Sequence, residues 1–288
     1  MIGTALSNLL LSKGYSVVIL SRSPKTETDD PQVVQYGWDT EKQTIDSSAV
    51  QQADYIINLA GANVGEKRWT AKRKKEIIDS RVKSAATLIK ALKETPNKVK
   101  AVVQASGVDW YNADPSIPNP APFTENLPHG NHFLGKVCEQ WESGIQPVKE
   151  LGKRLVILRT GMVLSKHGGA LDRFEKPVRF NIAAILSSGR QMISWIHIDD
   201  MCRLYLNAIE NEQLQGVYNA VAPGPVSNKT LMLELAQLIG GKFYLPIHVP
   251  GFVLKLLYGE LGGAILKSTT ASCEKISRTL YGDRKSVV

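Results

Sequence analysis

Ser21 and Arg22 are the first residues whose types and position could do chemistry. They follow an apolar, β-rich segment at residues 15–20, which predicts a buried strand. In dinucleotide-binding β-α-β units, a residue at the end of this second strand contacts the cofactor's ribose, and an arginine there accommodates the 2′-phosphate of NADP. The pair therefore indicates an NADP site, with Ser21 as a further hydroxyl donor. An ordinary solvated arginine at a strand end is the alternative interpretation.

Small residues stand where two further strands are predicted to end. They are Asn58, Leu59, Ala60 and Gly61 at the end of one apolar segment, and Ser106 at the end of another. Open α/β sheets bind ligands at the carboxyl ends of their strands, and small side chains let a ligand approach the backbone. We therefore expect these residues to contact the cofactor's ribose and nicotinamide. Tight turn packing would select the same residue types, and both explanations can hold together.

An imidazole and two carboxylates stand close together at residues 194–200. His197 with Asp199 and Asp200 could form an acid–base group with an orienting carboxylate. If this segment is a strand, Trp195, His197 and Asp199 lie on one face of it. A structural contact of His197 between two lobes is the favoured interpretation, and we expect Trp195 to line or close the cleft.

The predicted elements alternate in a way that brings most of these residues to one edge of a sheet. Apolar residues recur at helical spacing over residues 3–10, before Gly14, and over residues 70–93, before Pro96. Buried strands are predicted around residues 15–20, 53–59, 100–106 and 154–158. This alternation predicts an α/β fold with a doubly wound parallel sheet. A last helical segment is predicted from about Pro246 onward.

Composition and charge narrow the class of protein. The 288 residues are 43% hydrophobic and 22% charged, which is typical of a globular chain, and they contain no apolar run of membrane-spanning length and no secretory signal. Three scattered cysteines predict neither a metal site nor a disulfide framework, so a cytoplasmic setting is expected. The net charge of +8 is densest at residues 67–83. We interpret this cluster as a solvated helix face or a positive field for a phosphorylated small molecule, not as a nucleic-acid surface.

Nine short motifs follow one another along the chain. They are IGTAL at residues 2–6, SR at 21–22, NLAG at 58–61, RWT at 68–70, SR at 80–81, RTG at 159–161, GGA at 168–170, GRQ at 189–191 and SWIHIDD at 194–200. In this order and spacing they resemble the epimerase family protein branch of the extended short-chain dehydrogenase/reductases. This branch is also described as NAD-dependent epimerase/dehydratase-like or cell-division-inhibitor-like. The resemblance extends from residue 1 to about residue 267.

The resemblance implies a Rossmann-type, NADP-binding domain at residues 1–165 and mixed sheet-completing and substrate-lobe segments at residues 166–240. A helical carboxyl-terminal module is implied at residues 241–288. The implied cofactor contacts add Gly3, Glu76, Arg81 and Cys138, with the arginine acting by its charge on the phosphates. The implied substrate contacts are Trp110, Arg190, Trp195 and His197. For Glu76, an ion pair on the solvated face of its helix is nearly as strong an interpretation.

The Tyr-x-x-x-Lys pair of short-chain dehydrogenases is absent from its usual place. In that pair the lysine lowers the pKa of the tyrosine, which exchanges a proton during hydride transfer. Counting back from Glu142 puts Cys138 at the lysine position and Leu134 at the tyrosine position. Tyr281 and Lys285 have the right spacing, but we interpret that match as chance.

Ser106 and Tyr111 remain as the candidate catalytic residues. Ser106 takes the serine position of the resembled family, and the Tyr111 phenol could act from the other side of the site. Packing of Trp110 and Tyr111 beneath the following proline-rich loop is an alternative of equal strength.

The chain departs from the resembled family at both ends. Only the last glycine of the glycine-rich loop is present, as Gly3, and the strand expected before it is missing. That strand is expected in the middle of the sheet, between segments 15–20 and 101–105. Residues 268–288 do not follow the family's closing pattern.

Together these observations predict an NADP-binding epimerase or oxidoreductase that acts, as a monomer or homodimer, on a small substrate, for which a nucleotide sugar is one candidate. A non-catalytic NADP-binding sensor and a truncated remnant with impaired cofactor binding stay open as alternatives.

Overall fold

A computed structural model describes residues 1–25, 30–241 and 243–280 of the chain. The strands are β1 Val17–Ser21, β2 Val33–Asp39, β3 Thr44–Ile45, β4 Tyr55–Asn58, β5 Ala101–Gly107, β6 Arg154–Thr160, β7 Met162–Leu164, β8 Ile182–Leu186, β9 Met192–Ile193, β10 Trp195–His197, β11 Gly216–Ala220, β12 Val226–Ser227 and β13 Leu245–Val249. The helices are α1 Ile2–Ser12, α2 Ser47–Gln52, α3 Ala71–Glu94, α4 Phe133–Ile145, α5 Ala170–Val178, α6 Ile198–Glu210, α7 Asn228–Gly240, α8 Gly251–Tyr258, α9 Glu260–Ile265 and α10 Glu274–Leu280. None of these described helices is long and apolar enough to cross a membrane.

The largest sheet is parallel and has the strand order β11-β6-β5-β4. Its central strand β5 is buried along residues 101–106, because helices cover both faces of the sheet. On one face Val103 packs with Leu6 of α1 and Met201 of α6, and on the other Val102 packs with Ile89 of α3. This α/β architecture confirms the predicted Rossmann-type, doubly wound fold.

A second sheet is formed by β1, β2 and β3, with β1 parallel to β2. Among the described residues, β1 pairs only with β2, and β4 pairs only with β5. The two sheets therefore face each other across the edges of β1 and β4. The sequence prediction that the central gap lies between segments 15–20 and 101–105 is wrong, because β4 separates β5 from the gap.

Helix α3 shows why the local predictions for the first half of the chain hold. The hydroxyl of Thr70 accepts a hydrogen bond from the Arg73 backbone N–H, which caps the first turn. Ile77 and Leu88 are buried along one face, as the apolar spacing predicts. The helix ends at Glu94, before Pro96. The predicted helix at residues 70–93 is therefore confirmed within one residue at each end.

Two predictions in the second half are wrong. Strand β10 ends at His197, and α6 begins at once, so Asp199 lies on a helix and does not share a strand face with Trp195. The segment predicted to be helical from about Pro246 begins with strand β13, which pairs in parallel with β8. Helices α8 and α9 follow only from Gly251. Tyr281 and Lys285 lie outside the described residues.

Strands β8 and β13 and helices α5 and α7 build a smaller lobe with its own apolar cluster. Val178, Ile185 and Met232 are buried at its centre. Between the main sheet and this lobe along the chain, Gly161 follows β6, and a Cβ atom there would lie 2.6 Å from the carbonyl oxygen of Ser194. Glycine is required there because the backbones of two segments meet.

Candidate functional site

A buried ion pair between β6 and α4 lies at the carboxyl ends of β5 and β6. The guanidinium of Arg159 donates two hydrogen bonds to the Glu142 carboxylate, from Nε to Oε1 at 2.8 Å and from Nη2 to Oε2 at 2.9 Å. The Ser106 hydroxyl donates to the same Oε1 at 2.7 Å. Ser106 and Arg159 are neighbours in the β5–β6 register, and Glu142 reaches them from α4. The hydroxyl of Ser106, a candidate catalytic residue, therefore already donates its hydrogen bond to the Glu142 carboxylate.

Tyr111 belongs to the same network. Its hydroxyl donates to Oδ1 of Asn219 at 2.7 Å and accepts from Nη1 of Arg159 at 3.1 Å. The ring stacks on Phe123 and is only 1% exposed. Burial raises the pKa of this phenol above its usual value, although Arg159 opposes the shift. The described geometry matches the alternative of packing beneath the proline-rich loop.

Trp110 covers the outer side of this network. The guanidinium carbon of Arg159 lies 3.7 Å from the centre of the Trp110 ring, and the indole N–H donates to the carbonyl of Leu127. A cation held over an indole face is stabilised by the ring's quadrupole. The structure brings Ser106, Trp110 and Tyr111 together around Arg159, an arginine that was not among the predicted site residues. The one sequence feature that marked Arg159 as a site residue was its position at the end of a predicted strand.

Cys138 lies beside the end of β5 but has no reactive character. Its sulfur is 3.8 Å from the carbonyl oxygen of Gly107, and the side chain is buried. Burial raises the pKa of the thiol to about 12. A thiol in this environment stays protonated and cannot supply the positive charge by which a lysine lowers a tyrosine pKa.

A second polar cluster, which the sequence prediction missed, adjoins the network. The Lys267 ammonium lies 3.1 Å from the Asp109 carboxylate and donates to the Tyr111 carbonyl at 3.0 Å. His132 Nδ1 accepts from the Gly135 N–H, so Nε2 carries the proton and donates to that carbonyl. Burial lowers the pKa of His132, which keeps its ring neutral near pH 7.

At the end of β1, Arg22 is exposed, and among the described residues its guanidinium has neither an ion pair nor a hydrogen bond. The first turn of α1 contains no acidic residue and no side-chain cap, and it begins beside Leu59, 3.8 Å from a Cβ placed on Gly3. A helix N-terminus of this kind attracts anions through its free N–H groups. Ser21, at the end of β1, accepts a hydrogen bond from the Ser23 backbone.

The loop after β4 is held by its own side chains. Asn58 is buried; its amide donates to Gln104 at 2.9 Å, and its oxygen accepts from the Ala60 N–H. A Cβ on Gly61 would lie 3.0 Å from the Arg81 guanidinium, so a larger residue there would require that guanidinium to shift. The loop therefore presents mostly backbone to its surroundings.

Arg81 and Glu76 are placed differently from each other. Arg81 is buried over the Trp141 ring and donates to the carbonyls of Ala62 and Ile77. Glu76 is exposed and pairs with Arg73 at 2.7 Å, which lowers the pKa of the carboxyl. This is the ion pair that was considered as the alternative for Glu76.

The predicted substrate contacts lie toward the smaller lobe. The Trp195 indole donates to the carbonyl of Gly224, and His197 caps α6 by accepting from the Asp199 N–H. Arg190 is exposed, and its guanidinium reaches the carbonyl of Ile117 at 3.4 Å. Within the described residues, no group of three His, Cys, Asp or Glu side chains could hold a metal ion.

Comparison with known proteins agrees with this architecture. The model of the NAD dependent epimerase/dehydratase family matches residues 1–220. The chain belongs to this family. An epimerase family protein of Staphylococcus haemolyticus is 33% identical over 92% of the chain and 86% of its own length. The human epimerase family protein SDR39U1 is 31% identical over 90% of the chain and 83% of its own length.

Two solved structures superpose on most of the chain. Human SDR39U1 isoform 2, crystallised with NADPH, has a TM-score of 0.83 at 27% identity and covers 99% of the chain and 92% of its own. A UDP-glucose 4-epimerase of Thermus thermophilus in complex with NAD has a TM-score of 0.73. Its identity is 16%, so it supports the fold alone; it covers 100% of the chain and 92% of its own.

Proposed function

We propose that this family member binds NADP(H) at the carboxyl ends of β1 and β4. The observation that carries the proposal is the exposed Arg22 guanidinium at the end of β1, which has no partner in the part of the chain that the structure describes. An arginine at this position accommodates a 2′-phosphate, whereas an acidic residue would select NAD. The NADPH in human SDR39U1, a relative of similar fold, supports the same cofactor.

The residues around this edge fit such a cofactor. Arg22 and Ser21 would hold the 2′-phosphate, and the free N–H groups at the start of α1, near Gly3, would face the pyrophosphate. The backbone of residues 58–61 would lie against the ribose. When bound, NADP(H) would supply or accept a hydride. Arg81 would hold the loop after β4 in place, because its guanidinium already donates hydrogen bonds to the carbonyls of Ala62 and Ile77.

The substrate is proposed to be a small molecule in the cleft between the main sheet and the smaller lobe, and a nucleotide sugar is one candidate. Trp110, Arg190, Trp195 and His197 would line that cleft. Within the described residues, Ser106 and Tyr111 are tied into the Arg159 network, so a proton transfer by either would require that network to open.

A non-catalytic NADP(H)-binding role is the second candidate, and the buried Cys138 favours it. The thiol takes the place of the lysine of the usual dyad, and its pKa of about 12 leaves it inert. Such a protein would signal the redox state of the NADP pool through a change in its smaller lobe. Reduction of NADP⁺ coupled to oxidation of UDP-glucose or another nucleotide sugar, or epimerisation of that sugar without net consumption of cofactor, would support the enzyme, and binding without turnover would support the sensor.

The cofactor proposal is tested by titrating the chain with NADPH and NADH while following the nucleotide's fluorescence. We expect NADPH to bind at least about tenfold more tightly, because one charge-assisted contact contributes roughly 1.5–3 kcal/mol. Arg22→Asp should abolish this preference. Lys13→Asp, which makes the same charge change at the other end of α1, should leave it intact. Equal affinities for the two nucleotides in the unaltered chain would refute the proposal.

A further inference from the structure

A charged cluster lies where the carboxyl end of β5 meets the segment that follows α9. Its members are Lys267, two residues past α9, Asp109, in the short helical turn Val108–Trp110, and His132, which caps the start of α4. The Lys267 ammonium lies 3.1 Å from the Asp109 carboxylate and 3.4 Å from Nε2 of His132. Three segments that are separated in the chain thus bring a cation, an anion and an imidazole together.

The ammonium of Lys267 has one N–H donor to spare. A lysine ammonium has three such donors. One faces the Asp109 carboxylate, and a second donates to the Tyr111 carbonyl at 3.0 Å. Nε2 of His132 carries a proton itself and donates to the same carbonyl, so it does not accept from the ammonium. In the part of the chain that the structure describes, the third N–H has no acceptor, and the side chain is 13% exposed. An oxygen atom of a ligand can therefore reach it.

This cluster adjoins the places of the missing Tyr-x-x-x-Lys pair. His132 stands two residues before Leu134, which takes the place of the tyrosine. Burial and, after it, the charge of Asp109 raise the pKa of the Cys138 thiol, so the Asp109 carboxylate lies near the residue that takes the place of the lysine. A lysine from another part of the chain therefore stands close to the position that α4 leaves without one.

The same cluster borders the proposed substrate cleft. Trp110 follows Asp109 directly, and Ser268 follows Lys267 directly. The Ser268 hydroxyl accepts a hydrogen bond from the Met192 N–H at 2.8 Å, and Met192 belongs to β9, just before Trp195. The two segments that carry the ion pair are thus continuous with, or bonded to, segments that would line the cleft.

We propose that Lys267 exchanges the proton in a carbonyl–alcohol interconversion, in place of the tyrosine of the usual pair. The inference rests on the proposed binding of NADP(H). In the direction of reduction, the substrate's carbonyl carbon gains a hydride from NADPH, the C=O double bond becomes single, and the oxygen gains a proton from the Lys267 ammonium. The products are an alcohol, NADP⁺ and a neutral amine, which regains its proton from water. Asp109 and the Tyr111 carbonyl position the ammonium.

The first test uses isatin and benzaldehyde, two small carbonyl compounds, and follows their reduction by the loss of NADPH fluorescence. We expect Lys267→Ala to lower kcat for both at least about a hundredfold, because a positioned proton donor contributes roughly 10²–10⁴-fold. Lys98→Ala is the matched control, since Lys98 also lies 3.1 Å from an aspartate, Asp54, but stands before the other end of β5. It should keep kcat within about twofold, as expected of an exposed pair.

Chemical rescue separates proton transfer from a structural role. Methylammonium can enter the space that Lys267→Ala leaves and supply the missing proton, whereas it does not repair a lost structural contact. We expect kcat of Lys267→Ala to rise with methylammonium concentration by at least about tenfold. The unaltered chain and Lys98→Ala should not respond. A loss of kcat below about tenfold in Lys267→Ala, or a loss that methylammonium does not reverse, would overturn the proposal.

The pKa of His132, measured by NMR in the chain without nucleotide, tests the cluster independently of activity. Burial lowers this pKa, and a hydrogen bond to a backbone carbonyl opposes the shift; Lys267 and His129 lower it further, whereas Asp109 raises it. Lys267→Met keeps the bulk of the side chain and removes its charge, so it should raise the pKa of His132. Lys98→Met should leave it unchanged, and the same spectra report whether each variant is folded. An unchanged pKa in folded Lys267→Met would refute the cluster.

NADPH titration separates the failure of this inference from the failure of the cofactor proposal. Lys267→Ala should bind NADPH within about twofold of the unaltered chain, because the loss lies in the proton transfer and not in cofactor binding. If the unaltered chain binds NADPH but reduces neither carbonyl compound, the role of Lys267 is refuted and the cofactor proposal stands. If the unaltered chain does not bind NADPH, both proposals fail.

Discussion

The ion pair between Arg159 and Glu142 should be the most sensitive polar contact in the protein. Both side chains are nearly inaccessible, at 2% and 5% exposure. Glu142→Leu would leave the guanidinium buried without its carboxylate, and breaking such a pair costs about 3–5 kcal/mol. The Tyr111 hydroxyl and the carbonyl of Glu125 still contact the guanidinium, so we expect the lower half of that range.

Urea unfolding followed by circular dichroism measures this loss as a change in the free energy of unfolding. The exposed pair of Lys98 and Asp54 is the control, since its side chains are 58% and 48% exposed and Asp54→Ala should cost at most about 1 kcal/mol. The double variant Glu142→Leu with Arg159→Met removes both buried charges and should be more stable than Glu142→Leu alone. If Glu142→Leu costs no more than Asp54→Ala, or the double variant shows no recovery, the reasoning fails.

Three further predictions test other parts of the structure. Iodoacetamide at pH 8 should spare Cys138 in the folded chain, because a pKa of about 12 leaves only about one thiol in ten thousand ionised. Mass spectrometry should find the half-buried Cys273 modified first, and early modification of Cys138 would contradict its placement. Thr70→Ala should lower the free energy of unfolding by about 1 kcal/mol, since the cap on the Arg73 N–H is lost, whereas Thr70→Ser should restore it. The Asp114 carboxylate accepts hydrogen bonds from the Ser268 hydroxyl and from the hydroxyl and backbone N–H of Thr270. Asp114→Ala should therefore increase amide hydrogen exchange at residues 268–270, and unchanged exchange would count against this anchor.

The first half of the fold could be predicted because each signal was local. The apolar spacing of α3, its Thr70 cap and the following Pro96 all lie within one short stretch of chain. Gly14 was predicted to end the first helix, and its positive φ of 82° shows why glycine stands there. Strand β5 could be predicted from its apolar run alone, since a strand buried on both faces needs no alternating pattern.

The predictions failed where long-range pairing decided the structure. Residues 245–249 become a strand because they pair with β8, which stands about sixty residues earlier in the chain. The Arg159 network was missed for the same reason: its partners come from α4, a loop and β11, and nothing in their spacing marks them as neighbours. The sequence did contain one usable signal, a charged residue at the carboxyl end of a buried strand.

The division of the sheet bears directly on the proposed cofactor site. Arg22 follows β1, and Asn58 ends β4, so the two halves of that site stand on sheets that share no backbone hydrogen bond among the described residues. Binding NADP(H) would then require the two edges to hold a fixed separation, and the ordering would reduce the observed affinity.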